Sequence, residues 1–299
     1  MIMYSKMREK AKNIKNKADA YFLLNTADIL EFGYVDENPR PKYSDGVPAH
    51  TLSVNQVMRR YNLSKGEYPI MTLRPQAWKS AVKEIFWIFS DQSNDLSLLR
   101  EKYGVKYWDE WDIGDGTIGK RYGATVKSHI DIDRFIESLK SDPFGRRHII
   151  DLWQESDFAE TTGLNPCAFL TMWNVRKTDG KYYIDMTLIQ RSGDMCAASG
   201  AGGINEIQYT AFMLMMCKAT GYLPGVFCHF VQNEQIYDRH TKNAILMTER
   251  ESLSDSPRLI LNTDKTDFHS FTIDDFSMES YPQSEIKEKN PQLKFDLGI

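Results

Sequence analysis

The sequence predicts an α+β fold, and three observations carry that expectation. Residues 167–175 and 182–190 read as two strands joined by RKTDGK, in which Asp179-Gly180 is a strong two-residue hairpin signal. Residues 204–220 read as a mostly buried helix stopped by Gly221. Around them, strand and helix signals do not alternate at the spacing that parallel βαβ units require.

The remaining elements follow in order. Residues 5–32 predict one charged amphipathic helix, 33–50 a loop rich in Pro, Asp and Gly, and 51–57 a strand. Residues 76–90 predict a helix with a broad apolar stripe. Beyond residue 255 the chain turns polar, with FTIDDF as a late strand or turn. No repeat or Pro/Gly/Ser linker divides the chain, and 41% apolar and 12% aromatic residues can fill one continuous core. One domain over residues 1–299 is the expectation.

Charge narrows the function. With 37 basic and 41 acidic side chains the net charge is −4, which argues against a nucleic-acid coat or a membrane surface. No apolar run approaches a membrane span, and the N-terminal stretch lacks a signal-peptide core. Cys167, Cys196, Cys217 and Cys228 form no CxxC pair and no zinc-type spacing with histidine, so no metal is expected. Free thiols suit a reducing cytoplasm.

The hairpin brings chemistry to Cys167. Counting back from Asp179-Gly180 places it across from Gln190, Arg191 or Ser192, roughly 5 Å away at Cβ. A guanidinium there lowers a thiol pKa from about 8.5. The plain alternative is a small buried hydrophobe, the reading held for the other three cysteines. Arg146-Arg147, leading into HIIDLW, is a second anion-ready feature or a solvated pair. Glu84 lies at the margin of the 76–90 stripe, either a half-exposed edge residue or a desolvated acid/base. Residues 107–112, YWDEWD, are packing or a platform for a flat heterocycle. Asn205 is a helix cap or an amide that reads a pyrimidine edge.

Taken together, the motifs resemble one family. KEIFW around Glu84, YWDEW at 107–111, DGTIGKRYG at 115–123, DPFGRRHII at 142–150, NPC at 165–167, QRSGDM at 190–195, Asn205 with Tyr209, and IYDRH at 236–240 stand in the order of the folate-dependent, flavin-independent thymidylate synthases. SDGVPAHTLSV and FTIDDF are similar to a bacterial and phage branch of that family. The resemblance covers nearly the whole chain from about residue 20. It implies a large mixed sheet flanked by helices, with two such sheets packed back to back in a homodimer.

The same resemblance implies that Cys167 attacks C6 of dUMP. It makes 5,10-methylenetetrahydrofolate the donor of the one-carbon unit and the hydride. Arg191 and Ser192 would hold the phosphate, with Arg146 and Arg147 reaching in from a partner subunit. Gln190 would join the dUMP site, Asn205 would read the uracil, and Tyr237 would bond the ribose. Glu84 and Tyr122 would manage protons. Asp194 would contact both substrates, Trp108 and Trp111 would line the folate site, and Ile299 would close over it.

Four positions depart from the family pattern. Gln235 stands where a histidine is usual, and Ala168 replaces a frequent histidine after the cysteine. The early-loop arginine is absent, with Arg40 as its substitute, and the run from Asp194 to Asn205 is about three residues longer. The rival reading is a deoxyuridylate or deoxycytidylate hydroxymethylase, in which water captures the one-carbon intermediate. Asn205 favours uracil over cytosine, and Trp108 favours hydride transfer. His148, His229 and His240 sit in unrelated contexts, which argues against a cysteine hydrolase.

Overall fold

Four long strands, each more than nine residues, set the frame on which everything else packs. The computed structural model describes residues 2–298. The first half of the chain runs α1 (Ile2–Lys12), α2 (Lys17–Phe32), β1 (Tyr34–Val35), β2 (Thr51–Asn62), α3 (Trp78–Ile85), α4 (Leu96–Tyr103), α5 (Gly123–His129) and α6 (Ile132–Ser141). The second half runs β3 (Ile149–Asp151), α7 (Glu155–Glu160), β4 (Ala168–Thr178), β5 (Lys181–Gln190), β6 (Gly193–Asp194), α8 (Ile204–Thr220) and β7 (Leu223–Tyr237). It ends with α9 (Thr241–Glu249), β8 (Arg258–Leu261), β9 (Phe276–Glu279) and α10 (Gln283–Lys289).

Among the described residues the main sheet has seven strands, in the order β1-β2-β7-β5-β4-β3 with β6 on β7. Strands β5 and β6 run parallel to β7 and the other neighbours are antiparallel, so the sheet is mixed. Strands β8 and β9 pair separately. Helix α8 packs on one face. It is buried nearly all round because it lies between the sheet and the outer helices, which explains its continuous apolar sequence. Gly221 ends it at φ +78°, a left-handed cap that glycine adopts without a Cβ clash.

The opposite sheet face carries Met58, Phe230, Ile189 and Leu170 in one row across four paired strands. Met58 is exposed and the other three are half-buried. Ile149 and Met172 continue the apolar surface, and Cys228 lies on it half-buried, unlike the buried Cys196 and Cys217.

Two irregularities aim side chains. In β4 the hairpin register holds from Thr178↔Lys181 to Leu170↔Ile189, then shifts by one residue so that Ala168 pairs with Gln190. The turn itself has φ +51° at Asp179 and +75° at Gly180, as a two-residue turn matched to strand twist requires. In β2 the ladder skips Gln56, at φ +63°, and its opposite Gln232. The register is the same on both sides of this break, yet Glu234 and Ile236 are buried in β7 beyond it, whereas His229 and Val231 are buried before it. The inward–outward alternation has flipped, which turns Gln235 and Tyr237 away from the helix side.

Three expectations need correction. Residues 5–32 are two helices, because Asn16 caps α2 by accepting from Ala18 N–H at 3.0 Å and donates to the Ile70 carbonyl at 3.1 Å. Residues 76–90 begin as α-helix but widen to a π-helical turn at Phe86–Ser90, which buries four successive apolar side chains, Phe86 to Phe89. Strand β2 runs five residues beyond 57, to Asn62. FTIDDF proves to be both alternatives, a capped 3-10 turn at Ile273–Asp275 leading into β9.

Candidate active site

The site forms where β4 begins, β5 ends and the last residues of β7 meet the start of β2. The one-residue shift at Phe169 settles which member of the QRS triplet faces the cysteine. Arg191 N–H donates to the Cys167 carbonyl at 2.9 Å. The Arg191 guanidinium folds back on the carbonyls of Pro166 (3.0 Å) and Asn165 (2.8 Å), so its charge stands beside the half-buried thiol. The Cys167 N–H donates to the Tyr122 hydroxyl at 3.3 Å.

The expected fall in thiol pKa is not found. Burial pushes the Cys167 thiol above its ordinary value, and Arg191, then Arg40, pull against that without overcoming it. The sulfur is therefore held as a thiol until further positive charge or substrate changes its surroundings. Arg40 is exposed, yet its charge reaches both Cys167 and Tyr237, which fits the place assigned to it.

Arg146 and Arg147 are not brought to this centre. Both are exposed between α6 and β3, and neither makes a hydrogen bond or ion pair among the described residues. Two guanidiniums without acceptors are available to a second molecule. Ser192 lies next to Arg191, and its carbonyl accepts from the Gln190 amide at 2.9 Å.

Asn205 sits in the first turn of α8, and its amide is oriented on both sides. Its Oδ1 accepts from the Ser199 hydroxyl at 2.9 Å and, more distantly, from Gln190 at 3.4 Å. Its Nδ2 donates to Gln208 Oε1 at 2.9 Å. One N–H remains, and the second oxygen lone pair is held only by the long Gln190 contact at 3.4 Å, so the amide presents a donor and an acceptor suited to a uracil edge.

Tyr237 is buried between Tyr43, His240 and the chain at Gly298, where a Cβ would stand 2.8 Å from the tyrosine ring. The final segment thus passes directly over the ribose candidate. Burial first, and the charges of Asp194 and Cys167 next, push Tyr237 up to about 12. Gln235 donates to the Tyr237 hydroxyl at 3.4 Å. Ile299 lies outside the described residues, but His240 binds the Asp296 carbonyl at 2.7 Å and so ties the tail down.

Glu84 resolves to the desolvated alternative. It is 5% exposed, and burial pushes it up to about 7 against the donors Tyr107, Trp108 and Gln208. The Tyr107 hydroxyl donates directly to its carboxylate. Trp108 packs on Tyr122 (5.2 Å) and Trp111 (5.3 Å), which joins the Glu84 pocket to the cysteine through aromatic walls. The Trp108 indole N–H is buried and makes no hydrogen bond of normal geometry. The indole is therefore directed at Glu84 at long range, and its ring with that of Trp111 offers an aromatic wall for a flat heterocycle.

Asp194 caps the turn at Met195–Ser199, accepting from the N–H groups of Cys196 (2.9 Å) and Ala197 (3.1 Å). With Cys196 and His240 it places ligand-capable atoms within 4.8 Å of one another. The buried Arg74 guanidinium acts on the same Asp194 and Cys196, a positive charge that opposes a divalent ion there.

Several contributors were missed in the sequence. His229 does not stand in an unrelated context: its Nε2 meets Gln190 Oε1 at 3.0 Å. His240 also belongs to the site, with Nδ1 3.6 Å from Asp194 and its ring 5.3 Å from Tyr237. Burial alone would lower the His240 pKa, but Asp194 outweighs it and the pKa is raised. Tyr107, Ser199 and Gln208 complete the shell. The spacing of Gln208, one turn after Asn205, was the available signal.

Similarity to known proteins agrees with this geometry. The family profile described as Thymidylate synthase matches residues 20–291. The chain belongs to the thymidylate synthase family. The thymidylate synthase of Lactococcus lactis subsp. cremoris (strain SK11) is 49% identical over 284 residues, 94% of this chain and 99% of that protein. The thymidylate synthase of Streptococcus pneumoniae (strain 70585) is 47% identical over 285 residues, 95% of this chain and 99% of its own. Among solved structures, thermostable thymidylate synthase A from Bacillus subtilis superposes with a TM-score of 0.81 at 34% identity, covering 94% and 99% of the two chains. Membership of the thymidylate synthase family makes the chain a methyltransferase, and the hydroxymethylase reading finds no support among these relatives.

Proposed function

We propose that the chain methylates C5 of dUMP to give dTMP, with 5,10-methylenetetrahydrofolate as co-substrate and dihydrofolate as second product. The observation that supports this most is that Cys167, Arg191, Asn205 and Glu84, from four separate elements, are linked by contacts through Tyr122, Trp108, Gln190 and Gln208. Cys167 Sγ adds to C6 of the uracil as a thiolate, and negative charge develops on C5 and O4. The substrate arrives as a phosphate dianion that engages Arg191, Ser192 and Arg40, so binding removes solvent and fixes cations beside the sulfur together. Asn205 meets the developing charge with its free N–H.

Glu84, near 7, can accept and return a proton at physiological pH. Tyr122 holds the backbone of Cys167, and Tyr237 with Gln235 addresses the sugar. The folate supplies a methylene carbon and a hydride, and Trp108, Trp111 and Asp194 hold it. When the methyl group is complete and C5 has lost its proton, Cys167 leaves C6 as thiolate.

The working unit is a single catalytic domain that functions as a homodimer in the cytoplasm. The apolar row Met58, Phe230, Ile189 and Leu170 supports back-to-back sheets. Arg146 and Arg147, unpaired among the described residues, support a phosphate site completed by the partner. No described helix is long and apolar enough to cross a membrane. Mixing inactive Arg147→Ala and Cys167→Ala subunits should restore activity in heterodimers, because one site is then intact; confirmed heterodimers without rescue would refute shared sites.

Product analysis with dUMP and with dCMP, alongside dihydrofolate absorbance, tests the reaction. The expected result is dTMP and dihydrofolate in equal amounts from dUMP alone. 5-Hydroxymethyl-dUMP without dihydrofolate would overturn the proposal.

A further inference from the structure

Behind the site lies a buried chain of hydrogen bonds that the reaction itself does not use. Arg59 of β2 is 0% exposed and stands opposite His229 in the β2–β7 ladder. Its Nε donates to Glu206 at 2.6 Å, one terminal nitrogen to both Glu234 oxygens at 2.6 Å, and the other to the Ser199 carbonyl at 2.7 Å. That last nitrogen also lies 3.0 Å from His229 Nδ1. From there the chain continues through Gln190 and Ser199 to Asn205.

We propose that Arg59 and His229 are positioning residues for base selection: by fixing the His229 tautomer they fix the amide of Gln190, the hydroxyl of Ser199 and so the amide of Asn205. The proposal rests on the reading that Asn205 addresses the pyrimidine.

With Arg59 as the donor at His229 Nδ1, each later link takes one direction. A guanidinium has donors and no acceptor, so His229 Nδ1 facing Arg59 takes the acceptor role, and the ring proton sits on Nε2. Protonation of the ring, with Nδ1–H turned to Glu206 at 3.0 Å, leaves Nε2–H in place as well. His229 Nε2–H then donates to Gln190 Oε1, which points the Gln190 amide nitrogen at Ser199 Oγ (2.6 Å) and the Ser192 carbonyl (2.9 Å). The Ser199 hydroxyl, having accepted, spends its single proton on Asn205 Oδ1 at 2.9 Å. Asn205 Nδ2 is left to donate, once to Gln208 Oε1 and once into the site. Gln208 in turn acts as a donor toward Glu84. The polarity runs unbroken from a buried cation to the proposed acid/base.

This direction has a consequence for specificity. Uracil offers an acceptor at O4 and a donor at N3, which the Asn205 amide matches as held. Cytosine offers a donor at N4 and an acceptor at N3, and matching it requires the amide to turn over. Turning it sets Nδ2–H against the Ser199 proton and Oδ1 against Gln208 Oε1, two unpaired buried contacts. The penalty exists only while the upstream groups cannot turn with it, and Arg59 is the member with no alternative role.

The test compares nucleotides in the intact enzyme. His229→Phe keeps a planar ring and removes the donor to Gln190. The ratio of kcat/KM for dUMP to the reciprocal inhibition constant of dCMP should fall at least tenfold, with KM for dUMP rising more than kcat falls. His229→Gln, which retains an N–H near the Nε2 position, should recover most of the ratio. An unchanged ratio in folded His229→Phe would overturn the proposal. If that variant does not fold, nitrogen-15 shifts of His229 in the wild-type protein decide: Nε2–H is required, and a neutral Nδ1–H tautomer would overturn it. Asn205→Asp serves as the control for the underlying reading. If it leaves discrimination intact, Asn205 does not read the base; if it abolishes discrimination while His229→Phe does not alter it, only the relay fails.

Discussion

Two glutamates on packed helices are sealed from water, and their pKa values move in opposite directions. Glu84 of α3 is 5% exposed and Glu206 of α8 is 0% exposed. Burial alone would raise both. For Glu206 the Arg59 guanidinium, helped by the Gly202 N–H, overcomes that effect and holds it down at about 2. Around Glu84 the donors are neutral (Tyr107, Trp108 and Gln208) and it stays at about 7. Burial alone therefore does not decide which way a carboxylate shifts; the charges beside it do. Glu234 shows the intermediate case, sharing Arg59 with Glu206 and raised by burial and by its neighbour's charge.

The largest expected effect separates the two in rate. Glu84→Gln should lower kcat by about 100- to 10,000-fold, the usual range for a lost acid/base. It should not lower stability. Glu84 keeps its proton to about pH 7 in the fold but only to about 4.5 when unfolded, so its ionisation opposes folding as pH rises through that window. The shift corresponds to about 3 kcal/mol. Thermal melts at pH 8 should show Glu84→Gln at or above the parent; a marked loss would place Glu84 among the structural carboxylates.

Arg59→Leu should do the reverse and cost about 3–5 kcal/mol in urea unfolding, because two buried carboxylates lose their cation. The Glu206 contribution has the opposite pH sign to Glu84: present in full above about 4.5, and lost as pH falls toward 2. A smaller change comes from Tyr107→Phe. It removes a donor that favours ionised Glu84, so the pKa governing the acidic limb of the rate profile should move upward, with a loss of roughly tenfold or less at pH 7. An unmoved limb would break the link between Glu84 and that titration.

Much of this was legible in the chain because it is local. The Asp179-Gly180 turn dictated a register, and that register put Cys167 within one residue of Arg191. The apolar run from Ile204 to Thr220 and its glycine stop gave α8 directly. Non-local features were not legible. The register shift at Phe169 and the break in pairing at Gln56 carry no distinctive residue, yet they decide which side chains share a face. The break at Asn16 needed the Ile70 carbonyl, supplied from far along the chain. The thiol pKa was misjudged for the same reason. A neighbouring arginine can be read from a hairpin, but the depth of the recess depends on α5, β5 and the segment around Trp108. His229 looked isolated because its partners Arg59 and Gln190 come from two other strands.

The central claim is that Cys167 forms a bond to C6 of the nucleotide while C5 gives up its proton. 5-Fluoro-dUMP carries at C5 a fluorine that cannot leave as a cation, so the covalent complex should halt there. Intact mass after incubation with this nucleotide and methylenetetrahydrofolate should show one adduct per site, mapped by peptide digestion to Cys167 and absent from Cys167→Ser. No adduct on the wild-type chain, or an undiminished one on Cys167→Ser, would contradict the mechanism.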